Sequence, residues 1–221
     1  MTPEQETLLK KYAEAVVSAP AHLHLTSDRA VDHFYERHVR DAVKLCDLIP
    51  PSYKKSGMRV LDIGSGNGIP GIPAAILQPT WTINLIDSDN KKCGFLDMFC
   101  KNNAIKNARI SVDRAENIGH GDLRESGDIV FSRALGKLPS AIELAGPLVN
   151  VGGILIVPHG TSWESELTNS AKALDVIGLH LTDNIEYDIS RIKFHALIFK
   201  KVINTPTAYP RPVGVPTKKP L

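Results

Sequence analysis

From residue 58 onward the chain alternates between two rhythms, and that alternation restricts the fold more than any other feature. Short apolar runs at 59–63, 82–87, 109–113, 128–132 and 153–158 are interleaved with helical-period stretches near 71–78, 91–103, 137–147 and 162–177. Strands separated by helices pair in parallel through crossovers, so an α/β fold with a doubly wound sheet is expected. The end of the pattern differs. Residues 179–188 and 194–202 read as two strands with no helix between them. Only a hairpin joins such a pair, so one of the two runs against the rest of the sheet. Ahead of the sheet, 3–18 and 29–49 read as helices. Leu8, Leu9, Tyr12, Ala15 and Val16 recur at helical spacing in the first, and Val31, Val39, Ala42 and Cys46 in the second. Ser27 or Asp28 is a candidate N-cap for the second helix. Three segments result: a helical extension over 1–50, the sheet domain over 51–203, and a tail over 204–221 rich in proline and basic residues.

Where the first strand ends, the chain reads LDIGSGNGIPGIP, residues 61–73. A strand, a glycine turn and a helix N-terminus form a ligand cradle, because glycine takes positive φ and lets backbone approach a ligand. The dinucleotide fingerprint G-x-G-x-x-G fails at its third glycine, where Ile69 stands. The turn is D-x-G-x-G-x-G: Asp62, Gly64, Gly66 and Gly68. That is the pattern of S-adenosylmethionine sites, and a series of βα steps closed by a hairpin is the element order of class I methyltransferases. Asp62 is placed to accept from an amino group or to brace the turn. Asp87, ending the second strand, is placed to accept from ribose hydroxyls. Arg114, Ala115 and Glu116 follow the third strand, where backbone at Ala115 and the Glu116 side chain can meet an adenine edge.

Charge narrows the partner. The formal net charge is only +2. Arg191, Lys193, Lys200, Lys201, Arg211, Lys218 and Lys219 nonetheless crowd the last stretch, which has no acidic residue. A basic end on an otherwise acidic body suits a polyanion. Prolines at 206, 210, 212, 216 and 220 predict an extended tail with Arg211, Lys218 and Lys219 as phosphate contacts. Cys46, Cys93 and Cys100 form no C-x-x-C pair, so neither a zinc site nor a disulfide framework is expected, and a reducing cytoplasm is the simplest setting.

The loop after the fourth strand, FSRALG at 131–136, holds neither N-P-P-Y nor D-P-P-Y, and no cysteine follows Cys100. Amine methylation and attack on a pyrimidine carbon therefore lack their usual groups. A target that needs no activation remains, and guanine N7 is one, since it carries a lone pair and no proton.

LDIGSGNGIPGIP, DSDNKKCGFL, RAE at 114–116, SRA at 132–134, FYERHVRDA at 34–42 and the ending TPTAYPRPVGVPTKKPL all occur in this chain. Together they resemble the RsmG (GidB) family of bacterial small-subunit rRNA guanine-N7 methyltransferases, over almost the whole chain. The resemblance implies a Rossmann-like class I fold with a mostly parallel seven-stranded sheet, an S-adenosylmethionine cofactor, and 16S rRNA or the small ribosomal subunit as partner. A cytoplasmic monomer that needs no metal is expected. Family cofactor positions fall on Gly64, Ile69, Ala115, Glu116 and Arg133, with Gly66, Gly68 and Asp87 completing the set. Arg133 is placed to hold the cofactor carboxylate or an RNA phosphate, and with His159 it is the candidate catalytic residue. Two departures stand out: His159-Gly160 replaces the family's Lys-Gly, and Pro212 follows Arg211 where a second basic residue is usual. Two rival readings are an RNA-binding module with an inactive cofactor pocket and a nicotinamide-dependent oxidoreductase.

Overall fold

The computed structural model describes residues 1–221. Its strands are β1 (Arg59–Ile63), β2 (Thr82–Asp87), β3 (Ala108–Val112), β4 (Gly127–Ser132), β5 (Val149–His159), β6 (Leu179–Ile189) and β7 (Ile192–Lys201). They form one sheet in the order β3-β2-β1-β4-β5-β7-β6. All pairs are parallel except those of β7, which runs against both β5 and β6. The expected hairpin is therefore present and inserts β7 next to β5. Strand order reverses between β1 and β4, and the crevice above that reversal is where such sheets bind ligands.

The helices are α1 (Pro3–Val17), α2 (Val31–Phe34), α3 (Arg40–Leu48), α4 (Gly71–Leu77), α5 (Asn90–Asn102), α6 (Ala115–Ile118), α7 (Leu138–Ala145), α8 (Trp163–Asn169), α9 (Ala171–Ile177) and α10 (Val215–Lys218). Alternate strand residues point to opposite faces. Val60, Ile83, Leu85, Ile129, Phe131 and Ile156 pack under α1 to α5, and Leu61, Ile63, Val130, Leu155, Leu197 and Phe199 under α7 to α9. Tyr12, Phe34 and Leu45 belong to the first of these cores, so the N-terminal helices, with α4 and α5, make up one of the sheet's two covering layers. No helix is long and apolar enough to cross a membrane.

Three local expectations are corrected. Neither Ser27 nor Asp28 caps the second helical stretch, which starts after Ala30 without a side-chain cap. Asp28 turns instead to two imidazoles, 2.7 Å from His33 Nδ1 and 3.1 Å from His38 Nε2. That same stretch is not one continuous α-helix: Tyr35–Val39 widens to a π-turn between α2 and α3, a distortion often found at functional sites. The tail is not an extended arm. It folds back over α6 and α7 and ends in the one-turn helix α10.

Candidate active site

The turn after β1 takes positive φ at each of its glycines: +70° at Gly64, +56° at Gly66 and +99° at Gly68. Their roles differ. A Cβ on Gly66 would meet nothing nearer than the Gly64 oxygen at 3.8 Å, so this backbone is bare toward open space. A Cβ on Gly68 would stand 2.6 Å from Leu96 Cδ2 and 2.8 Å from Ile72 Cγ1, so Gly68 is small for the sake of packing. Asp87 braces the turn: its Oδ2 accepts from Gly66 N at 2.7 Å and its Oδ1 from Asp89 N at 2.9 Å. The N-terminal layer braces it too, since Tyr12 donates its hydroxyl hydrogen to Asn67 O at 2.6 Å.

Beneath the turn lies Asp62, fully buried. Its Oδ2 accepts from Gly71 N at 2.9 Å, while its Oδ1 has no partner. Burial pushes its carboxyl up to about 7. The Ser65 and Ser132 hydroxyls are also buried without partners. Ser132 pairs in register with Ile63, next to Asp62, so these orphaned groups gather at the carboxyl ends of β1 and β4.

Above them opens a cleft of about 490 Å³ lined by Gly64, Gly66, Asp87, Ala115, Glu116 and Arg133, among others. Six expected site residues thus meet in one place. Gly68 and Ile69 do not line it; Ile69 is buried in the core beneath α1 to α5. His159 stands apart at the end of β5, with Nε2 3.4 Å from Glu166 Oε2.

Besides Asp87, two further lining side chains are already engaged. Glu116 is buried, and its Oε1 accepts from Arg114 Nη2 at 3.0 Å and Gly214 N at 2.9 Å. Burial opposes its ionisation, but the bonds from Arg114 and Gly214 outweigh it and hold the carboxyl below its usual range. Arg133 lies 3.2 Å from Asp41 Oδ2 and donates to His38 Nδ1 at 3.2 Å. Asp41 Oδ1 in turn accepts from the Tyr187 hydroxyl at 2.8 Å. Burial and then the Arg133 charge lower the His38 pKa, which suits a ring nitrogen that accepts from a guanidinium. Sequence reading placed Arg133 but missed its holders. Their only trace is the His38–Asp41 spacing of three, one face of a helix.

Of the expected tail contacts, Lys218 and Lys219 are exposed. Arg211 is not free. It donates from Nε to Glu143 Oε1 at 2.8 Å and from Nη2 to Oε2 at 2.6 Å, and Glu143 is fully buried.

The residues fit the expected cofactor. An unpartnered carboxylate oxygen suits an ammonium, bare backbone at Gly66 admits close approach, and Asp87 borders the cleft for ribose hydroxyls.

Residues 5–186 match the family described as "GidB: rRNA small subunit methyltransferase G". The chain belongs to that family. The ribosomal RNA small subunit methyltransferase G of Trichormus variabilis is 34% identical over 100% of this chain and 92% of its own length. That of Acetivibrio thermocellus is 36% identical over 90% of this chain and 81% of its own. Among solved structures, a SAM-dependent methyltransferase from Aquifex aeolicus superposes with a TM-score of 0.60 at 15% identity, over 82% of this chain and 98% of that one. The M. jannaschii protein crystallised with AdoMet gives a TM-score of 0.59 at 14% identity, over 75% of this chain and 76% of that one. The class I methyltransferase fold and the GidB membership expected from the motifs are both borne out.

Proposed function

We propose that this chain transfers a methyl group from S-adenosylmethionine to N7 of a guanine in small-subunit rRNA, acting in the cytoplasm. Family membership supports rRNA methylation. One observation carries the choice of nucleophile: no cysteine or histidine lines the cleft, and its lining carboxylates Asp87, Asp113 and Glu116 are all engaged by hydrogen-bond donors. The Cys46, Cys93 and Cys100 thiols are buried, and burial raises Cys46 to about 12 and Cys100 to about 11. Glu116 is a weak base, because Arg114 and Gly214 hold its carboxyl below the usual range, and Arg133 is always charged. Guanine N7 needs neither base nor nucleophilic relay.

The bound cofactor supplies an electrophilic methyl on a sulfonium. The protein supplies alignment. With the cofactor bound, Asp62 Oδ1 beneath the turn would accept from its ammonium, Gly66 would present bare backbone, and Asp87 would accept from its ribose hydroxyls. Arg133, fixed by Asp41 and His38, would hold a carboxylate or a phosphate at a set angle. Positioning of this kind can supply roughly 7–11 kcal/mol of the barrier.

RNA reaches the cleft over the carboxyl edge of the sheet. The β6–β7 turn rises above that edge, because His195 pairs with His159 at the end of β5 and Ile192 to Phe194 continue beyond. At its tip stands exposed Arg191, and Lys218 and Lys219 flank the cleft at Thr217.

The test is purified protein with labelled cofactor and small-subunit RNA, followed by nucleoside analysis. Label in 7-methylguanosine is expected; label in any other nucleoside overturns the target.

A further inference from the structure

The path of residues 204–221 is not that of a free arm. Thr205 N donates to Glu125 Oε1 at 2.8 Å, and Asn204 Nδ2 donates to Glu125 Oε2 at 2.7 Å. Arg124 then pins the chain, donating to Thr205 O at 2.6 Å and Tyr209 O at 2.8 Å. His120 Nε2 lies 2.8 Å from Pro210 O. Arg211 locks onto buried Glu143 of α7. Beyond it, Gly214, at φ +80°, turns its N–H onto Glu116, and Pro216, buried, accepts from Ser140 Oγ at 2.9 Å. The next residue, Thr217, lines the cleft.

From this geometry we infer that the C-terminal segment is a strap forming one wall of the cofactor cleft, with Thr217 against the adenosyl part of the cofactor. The inference rests on the cofactor reading above. The adenosyl part is assigned because the strap is fastened to Glu116, which follows β3. That is the end of the cleft beyond Asp87 and the ribose position. Glu116 has a role the sequence did not reveal. Its Oε1 is spent on Arg114 and on the strap, so it clasps the wall in place. The basic tail thereby gains a duty that is not electrostatic. Thr217 shapes a small-molecule site and residues 204–216 hold it in place, while Lys218 and Lys219 remain exposed beside it.

The test is calorimetry on the full chain with two probes, S-adenosylhomocysteine and 5′-methylthioadenosine. The second lacks the amino-acid end. Thr217→Trp fills the mouth of the cleft, and overpacking of this kind is expected to weaken both probes by about tenfold or more. Deleting residues 214–221 removes the wall but keeps the Arg211–Glu143 pair, and should also weaken both. Because Thr217 is exposed, the thermal midpoint of Thr217→Trp without ligand should match the parent. Asp87→Ala is the control for the site. If Asp87→Ala loses binding while Thr217→Trp and the deletion keep it, the strap proposal fails. If Asp87→Ala also binds normally, the cofactor reading fails instead. A deletion that weakens S-adenosylhomocysteine but leaves methylthioadenosine untouched overturns the adenosyl assignment.

Discussion

Arg211 and Glu143 face each other through two parallel N–H···O bonds, at 2.8 and 2.6 Å, with the carboxylate fully buried and the guanidinium a quarter exposed. A partly exposed surface pair stabilises little, but here removal of the cation strands a buried anion. Arg211→Ala should therefore cost about 3 kcal/mol, or roughly 6–12 °C in melting temperature for a chain of this size. A drop below about 1 kcal/mol, the range of an exposed pair, would show that Glu143 finds another partner. Arg211 is an internal tie, so Arg211→Lys, which keeps the charge and loses the fork, should recover only part of the loss.

Asp41 and Tyr187 hold Arg133 from behind. Asp41→Asn keeps the shape and removes the charge that opposes the guanidinium. A guanidinium freed to move by an ångström misaligns whatever it holds, and kcat should fall about 10²-fold. Tyr187→Phe removes only one bond to that carboxylate, at a cost of about 1.5–3 kcal/mol in stability, with a smaller effect on rate. Single-turnover methylation and thermal melts separate the two. Equal rates for Asp41→Asn and the parent would show that Arg133 needs no holder.

These two ties mark the limit of what the sequence discloses. The sheet, its hairpin and the glycine turn are legible, because strand alternation and the D-x-G-x-G-x-G spacing are local signals. Asp87, Ala115, Glu116 and Arg133 are legible as strand-end positions. Pairings between residues far apart in sequence leave no such mark. Asp41 meets Tyr187 across 146 positions, and Arg211 meets Glu143 across 68. The tail misleads for a related reason. Its prolines and charges predict an exposed arm, while the carbonyls at 205, 206 and 209 that Arg124 collects carry no sequence signature. Asp28 reads as a cap because Asp before a helix usually is one, and two histidines on the following turns compete for it.

Asp62 gives the protein a pH signature. Its carboxyl rises from 3.8 to about 7 on folding. The folded chain therefore keeps a proton that the unfolded chain releases between those values. This contribution to stability is complete below about pH 4 and is lost as pH rises through 7. Cofactor affinity should run the opposite way. An ammonium at Oδ1 needs the carboxylate, so binding expels the proton and weakens about tenfold per unit below pH 7. Calorimetry of S-adenosylhomocysteine at pH 6, in two buffers of different ionisation enthalpy, should register that release. Asp62→Asn should bind more weakly and lose the slope; a slope that survives would assign it to another group.

The hairpin tip sets stability against RNA affinity. Ser190 and Arg191 form the two-residue turn between paired Ile189 and Ile192, at φ +52° and +67°. Such turns favour glycine at these angles, and an arginine there is held in a region it visits at a cost. Arg191→Gly relieves that cost and should leave melting temperature unchanged or higher. It also removes a cation from the edge where RNA arrives, so the slope of log K against log salt should flatten by roughly 0.7–0.9. Replacing Lys218 and Lys219 by alanine should flatten it by about the same amount for each phosphate no longer neutralised, while Arg211→Ala, already neutralised by Glu143, should leave the slope alone. If Arg191→Gly stabilises the fold with no change in slope, the tip does not touch RNA. If Arg211→Ala flattens the slope as much as the lysines do, the Glu143 pair opens when RNA binds.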